Sequence, residues 1–119
     1  PQINGDGLQT RDFVHVHDVC EAIYSLIEGD WKADKFHVYN VATQTKITLL
    51  ELVEAINTSL SSFLPDYIHI SPAHGPERVG DIRHSMASIE RIQSTLDWSP
   101  KVGFEEGIKG LLQERLNLN

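Results

Sequence analysis

What most limits the folds open to this chain is the order of its apolar segments. Short runs rich in aromatic and β-branched residues alternate with stretches at helical spacing, and no strand–helix–strand unit repeats. That order suggests a small mixed α/β lobe that packs on something larger. At 119 residues the chain is one domain's worth. A domain of this size buries roughly two thirds of its unfolded surface, so a core needs neither disulfides nor a structural metal. The single Cys20 agrees, because one thiol cannot close an internal bridge.

From the N-terminus, a Gly-Asp-Gly turn (Gly5, Asp6, Gly7) predicts a loop or hairpin feeding a strand at Phe13, Val14, His15 and Val16. Asp18 with Glu21 signals a helix start, and Val19, Ala22, Ile23, Leu26 and Ile27 continue it until Gly29. Residues 36–41 read as a buried strand. Thr48 and Glu51 form a capping box, with Ile47 and Leu52 as its hydrophobic staple. The helix from Leu49 to about Leu60 should bury Leu52, Val53, Ile56 and Leu60. Residues 67–70 read as a short strand, followed by an aperiodic loop from Ser71 to Arg83, of the kind that is functional or mobile. Ser88 can cap a helix with Ile89, Ile92 and Leu96 inward. Phe104, Ile108, Leu111 and Leu112 mark a last one.

Seventeen acidic residues against ten Lys and Arg give a formal charge of −7, which argues against sequence-blind nucleic-acid binding. Apolar runs of about three to five residues fall far short of the roughly 20 that span a bilayer, and no leader pattern is present. The expectation is a soluble, cytoplasmic piece without nucleic-acid or membrane partners. No complete dinucleotide turn appears. Gly5 and Gly7 begin one, but Thr10 stands where the third glycine should be. Gly103, Gly107 and Gly110 follow a Pro-Lys-Val corner with no buried strand before them. No tyrosine is followed four residues later by lysine. With a start at Pro1 and a lone Met86, the chain reads as a piece of a longer protein.

Three of the five arginines, Arg11, Arg78 and Arg83, fall in glycine-containing or turn-flanked segments. Guanidinium grips phosphate with paired hydrogen bonds, so they suggest a local anion pocket. The competing reading is surface ion pairs of little worth, Arg11 with Asp12 or Asp18 and Arg83 with Asp81. His15 and His17, at i and i+2 of one strand face, could chelate a metal but lack a third ligand; polar-face residues are the plainer reading. His84, at a loop-to-helix entry, could touch a ligand. Cys20, in the first turn of a helix, reads as a buried structural thiol.

Three ordered motifs carry a resemblance: GDGLQTRDFVHVHDVCEAI, YNVATQTKITLLELVEAI and PERVGDIRHSMASIERIQSTLDWSPKVGFEEGI. With them, from about Ile3 to Leu112, the chain resembles the C-terminal part of the extended short-chain dehydrogenase/reductases. The closest look is to nucleotide-sugar epimerases of the UDP-glucose or UDP-N-acetylglucosamine 4-epimerase kind. The resemblance implies that residues 1–119 are a C-terminal nucleotide-sugar-binding lobe whose partner, an N-terminal Rossmann domain with NAD and a Tyr-x-x-x-Lys pair, is absent from this chain. It implies no catalytic, cofactor or metal residue here. Arg11 and Arg78 match the arginines that contact the diphosphate, and Asp81 the carboxylate that accepts from ribose hydroxyls.

Ser85 matches the position that limits space beside the sugar's C2 substituent. A serine there implies a parent that accepts UDP-N-acetylhexosamines alongside hexoses or uronic acids; the plainer reading is a residue that merely precedes a helix. The parent reaction implied is transient oxidation at the sugar C4 by NAD, turning of the keto intermediate and return of hydride. Two departures stand out: Ala87 to Arg91 replaces the usual Ala-Asp-x-Ser-Lys, and His15 takes a place often held by tyrosine. Lobes of related dehydratases, decarboxylases or reductases, or a stand-alone binding or interaction module, are the alternatives.

Overall fold

The computed structural model describes residues 1–29 and 36–117. In chain order the elements are β1 (Gln2–Asn4), β2 (Thr10–Arg11), α1 (Val16–Glu28), β3 (Ile47–Thr48), α2 (Leu49–Phe63), β4 (Ala73–Gly75), α3 (Glu90–Leu96) and α4 (Phe104–Arg115). This is the expected mixed α/β lobe. Its strands form two separate two-stranded sheets, β1 parallel to β4 and β2 antiparallel to β3. The Gly-Asp-Gly turn therefore passes the chain from one sheet to the other and is not a hairpin. Gly5 and Gly7 lie at φ +75° and +78°, and a Cβ on Gly7 would come within 2.8 Å of the Leu50 side chain, so this crossing requires glycine.

Several elements are where the patterning puts them. The capping box is complete: Thr48 Oγ1 accepts from the Glu51 amide at 3.1 Å and Glu51 Oε2 from the Thr48 amide at 2.7 Å. Gly29 follows the last residue of α1. Ile92 of α3 and Ile89 at its N-cap are buried; the cap is Ile89 rather than the expected Ser88, whose Oγ accepts from the Glu90 amide. The main cluster joins Ala22 of α1, Ala42, Ile89, Ile92 and Trp98, with Tyr39, Val41, Ala87 and Leu96 against it.

Other expectations fail for identifiable reasons. Residues 13–15 are not a strand: β2 ends at Arg11, and His15 caps α1 with its Nδ1 accepting from the His17 amide at 3.2 Å. The two histidines thus do not share a strand face. Asp18 caps nothing; it is wholly buried inside the first turn and bonds a distant loop. Residues 36–41 are not a strand and are buried only in part: Tyr39 and Val41 pack against the main cluster, while Phe36 and Val38 are exposed. Residues 67–70 are not a strand either. The Asn57 side chain meets both the amide and the carbonyl of Ile70 and accepts from the Tyr67 hydroxyl, doing for this segment what a neighbouring strand would do.

The loop expected after Ser71 contains β4. On α2 the fully buried residues are Asn57 and Ser59, while Leu52, Val53, Ile56 and Leu60 are half-buried. Cys20 is exposed, against the buried thiol expected. The molecule is a slab, 56 × 41 × 17 Å with a radius of gyration of 17.6 Å; a compact chain of this length would have about 13.5 Å. A body so thin buries less than its length allows.

Candidate functional site

Two backbone pairings assemble the candidate residues. On one side β2 lies against β3. On the other, the Thr10 amide donates to the Arg83 carbonyl at 2.9 Å and the Ser85 amide to the Thr10 carbonyl at 3.2 Å, a parallel bridge centred on Thr10 and His84. Residues about 70 positions apart in sequence thereby share one edge. Thr10 Oγ1 and His84 Nδ1 are 3.0 Å apart, and Ser85 is exposed next to them.

Arg11 braces this edge. Its Nη1 donates to the Thr10 carbonyl at 2.9 Å and the Ile82 carbonyl at 2.6 Å, and its Nη2 to Asp81 Oδ1 at 2.5 Å. A guanidinium has five N–H donors, so three bonds leave Arg11 able to meet an anion without releasing Asp81. The pairings differ from those expected of surface arginines. Asp12 instead ties down residues 43 and 44, accepting from both their amides. Asp81 uses one carboxylate oxygen on Arg11; its Oδ2 has no partner among the described residues and is available to a hydroxyl.

Arg78 stands on a four-residue turn closed by the Asp81 amide on the Arg78 carbonyl at 3.1 Å, with Gly80 at φ +80° in its third position. A turn of that geometry requires φ > 0 there, hence the glycine of ERVGD. The Arg78 guanidinium has no hydrogen bond or ion pair among the described residues. With Asp81, Glu77, Arg83, Gln9, Asn4 and Gly5 it lines a cavity of about 240 Å³, in which two guanidiniums face two carboxylates. Asp81 belongs both to this cavity and to the edge bearing Arg11, His84 and Ser85, so it joins the two halves of the site.

Among the larger cavities lined by described residues, two show linings that are chemically wrong for a diphosphate. One of about 590 Å³ between α2 and α4 carries Glu51, Glu54, Glu105 and Glu106 against Lys109 alone. One of about 410 Å³ is walled by Ile3, Leu52, Ile56 and other apolar groups.

Sequence reasoning missed two features of the smaller cavity. Gln9 is buried, donates through Nε2 to the Asn4 carbonyl at 2.9 Å, and has no partner for Oε1 among the described residues. Arg83 places both ends of its fork on Asp6, at 2.7 Å each. That contact crosses 77 positions, and no local pattern announces it. The Arg83 guanidinium and then the Leu8 amide hold the Asp6 carboxyl down at about 2. Because the folded value is depressed, this pairing persists at every pH above the ordinary aspartate range and fades only as pH falls toward 2. A carboxyl-detected NMR titration should show Asp6 with a midpoint near 2, rising in Arg83→Ala but staying below the free aspartate value because the Leu8 amide still holds it; a wild-type midpoint at the ordinary aspartate value would mean the pair is not held in solution.

Residues 1–111 match the family described as GDP-mannose 4,6 dehydratase. The UDP-glucose 4-epimerase of Mycolicibacterium smegmatis is 35% identical over 107 residues, 90% of this chain and 31% of that protein. The UDP-N-acetylglucosamine 4-epimerase of Methanobrevibacter ruminantium M1, solved with UDP-N-acetylmuramic acid, superposes with a TM-score of 0.81 at 30% identity, over 100% of this chain and 35% of that one. The dTDP-glucose 4,6-dehydratase of Bacillus anthracis, solved with NAD, gives 0.76 at 30% identity, over 98% and 34%. The chain spans about a third of the length of the curated relatives it matches.

Proposed function

Since the chain belongs to the GDP-mannose 4,6-dehydratase family of extended short-chain dehydrogenase/reductases, we propose that it is the substrate-binding portion of an NAD-dependent nucleotide-sugar epimerase. The substrate proposed is a UDP-hexose or UDP-N-acetylhexosamine, epimerised at C4. The observation that carries this reading is that Asp81 is shared between the cavity that Arg78 lines and the edge on which Arg11, from a distant segment, bonds it. Two guanidiniums suit a diphosphate, and the open oxygen of Asp81 suits a ribose hydroxyl. Exposed Ser85, with His84 beside it, leaves room for a sugar substituent such as an N-acetyl group. The single free Cys20 agrees with a reducing, cytoplasmic setting, and among the described residues no helix is long and apolar enough to cross a membrane.

The residues present do not fit NAD. Gly5 and Gly7 join two strands and open no helix, and Gly103, Gly107 and Gly110 lie at the cap and inside α4. No catalytic step is assigned to this chain. Its part is to hold the nucleotide so that remote binding energy orients the sugar. The partner proposed is the Rossmann domain of the same enzyme. In support, Val16, Ile23 and Ile27 of α1, and also Phe36 and Val38, are large apolar residues exposed on a slab.

Calorimetric titration of the full-length protein with UDP-N-acetylglucosamine tests the site. Arg78→Ala should raise the dissociation constant by about 10- to 100-fold, the usual loss for a forked, charge-assisted contact. An unchanged constant would sink the assignment.

A further inference from the structure

Asp6 sits between two glycines of positive φ, at the crossing from one sheet to the other. Its Oδ1 accepts from the Leu8 amide at 2.9 Å, fixing the carboxylate to its own turn, and its two oxygens take the fork of Arg83. Arg83 is two residues beyond Asp81 and five beyond Arg78, and its carbonyl is already held by the Thr10 amide. At the other end of the same loop, β4 is paired to β1. Residues 76–82 therefore hang between two anchors. Among the described residues, the hydrogen bonds that brace their interior are the 78–81 turn bond and those of Arg11.

We propose that Asp6 and Arg83 are positioning residues for the nucleotide site: Arg83 lines the cavity with its fork already taken by Asp6, and that ion pair sets where the loop presents Arg78 and Asp81. The inference rests on the reading that Arg78 and Asp81 bind a nucleotide diphosphate. Its physical basis is direction. An arginine–carboxylate fork fixes angle as well as distance, and a ligand gripped by a few groups loses affinity steeply when one of them is misplaced. The pair is about half exposed, so its removal should barely change stability. Asp6 also occupies the charge of Arg83, leaving Arg78 as the cavity guanidinium without an acidic partner among the described residues.

The test is calorimetric titration of the full-length protein with UDP, together with the KM and kcat of its sugar-nucleotide reaction. The variants are Asp6→Asn, Arg83→Ala, their double, and Arg83→Lys, with Arg78→Ala as control. Asp6→Asn keeps the acceptor for the Leu8 amide, removes the charge and turns the second acceptor of the fork into a donor. Each single change should weaken UDP by about 10-fold, and the double should be no worse than either alone, as for two halves of one interaction. Arg83→Lys, charged but not forked, should fall between. KM should rise with kcat unchanged, and the melting temperature should stay within about 2 °C.

Unchanged UDP affinity in Asp6→Asn and Arg83→Ala, with Arg78→Ala impaired, would overturn the proposal and leave the site reading intact. Tighter UDP binding in Asp6→Asn would overturn it differently, because a released Arg83 would then be a phosphate ligand. Additive losses in the double would show two separate roles and also overturn it. An unimpaired Arg78→Ala would remove the site reading and the inference with it.

Discussion

Asp18→Ala is expected to destabilise the protein by about 3–5 kcal/mol, since each of its two lost bonds to a buried carboxylate costs roughly 1.5–3 kcal/mol. Asp18 is fully buried, its Oδ1 accepting from the Lys101 amide and its Oδ2 from the Val102 amide, both at 3.0 Å. Its own carbonyl accepts from the buried Trp98 indole at 3.1 Å. One residue in α1 thus fastens the connection between α3 and α4. Alanine would strand two backbone donors that water cannot readily reach. Asp18→Asn keeps one carbonyl oxygen and should lose about half as much. Amide hydrogen exchange gives the direct readout: in Asp18→Ala the Lys101 and Val102 amides should lose most of their protection. If they stay as protected as in the wild type, the fastening is illusory.

Asn57→Ala should cost about 2–4 kcal/mol, through three hydrogen bonds lost at a site that is 5% exposed. Asn57 Nδ2 donates to the Ile70 carbonyl at 3.1 Å, and its Oδ1 accepts from the Ile70 amide at 3.2 Å and the Tyr67 hydroxyl at 2.7 Å. The amide group reproduces a strand partner's donor and acceptor, which no other side chain but glutamine offers. Asn57→Asp should be nearly as damaging, because it cannot donate. Tyr67→Phe should cost only about 1 kcal/mol. Urea denaturation of the four proteins ranks them, and an Asn57→Ala protein as stable as the wild type would contradict the role given to this side chain.

Both residues show why parts of the fold escaped the sequence. Helices declare themselves locally: the Thr48 and Glu51 box, the apolar face of α3 and the Gly29 stop are all set within a few residues, and the structure has them. Strands are a different matter. Residues 36–41 and 67–70 have strand composition, but strand formation depends on a partner elsewhere in the chain. For 67–70 the partner is the side chain of Asn57. Conversely β4, at Ala73–Gly75, has no strand signal and exists because β1 lies beside it. Asp18 carries the local mark of a helix cap, yet its partners lie 83 and 84 positions on.

The candidate site divides the same way. Arg11 and Arg78 were legible as guanidiniums on glycine-bearing or turn-flanked segments, and Asp81 through the resemblance of its motif. The Arg11–Asp81 bond, the Asp6–Arg83 fork and the buried Gln9 were not, since each depends on which loops meet. The positive φ of Gly80 was foreshadowed only as a glycine in a loop.

The 17 Å thickness of the slab has a thermal consequence. The heat-capacity increment of unfolding comes from apolar surface newly exposed to water, about 12–15 cal/mol/K per residue for compact domains. A chain that already shows water Phe36, Val38, Ile27 and Val79 has less left to expose. Its own stability curve is therefore expected to be shallow, changing little between cold and warm.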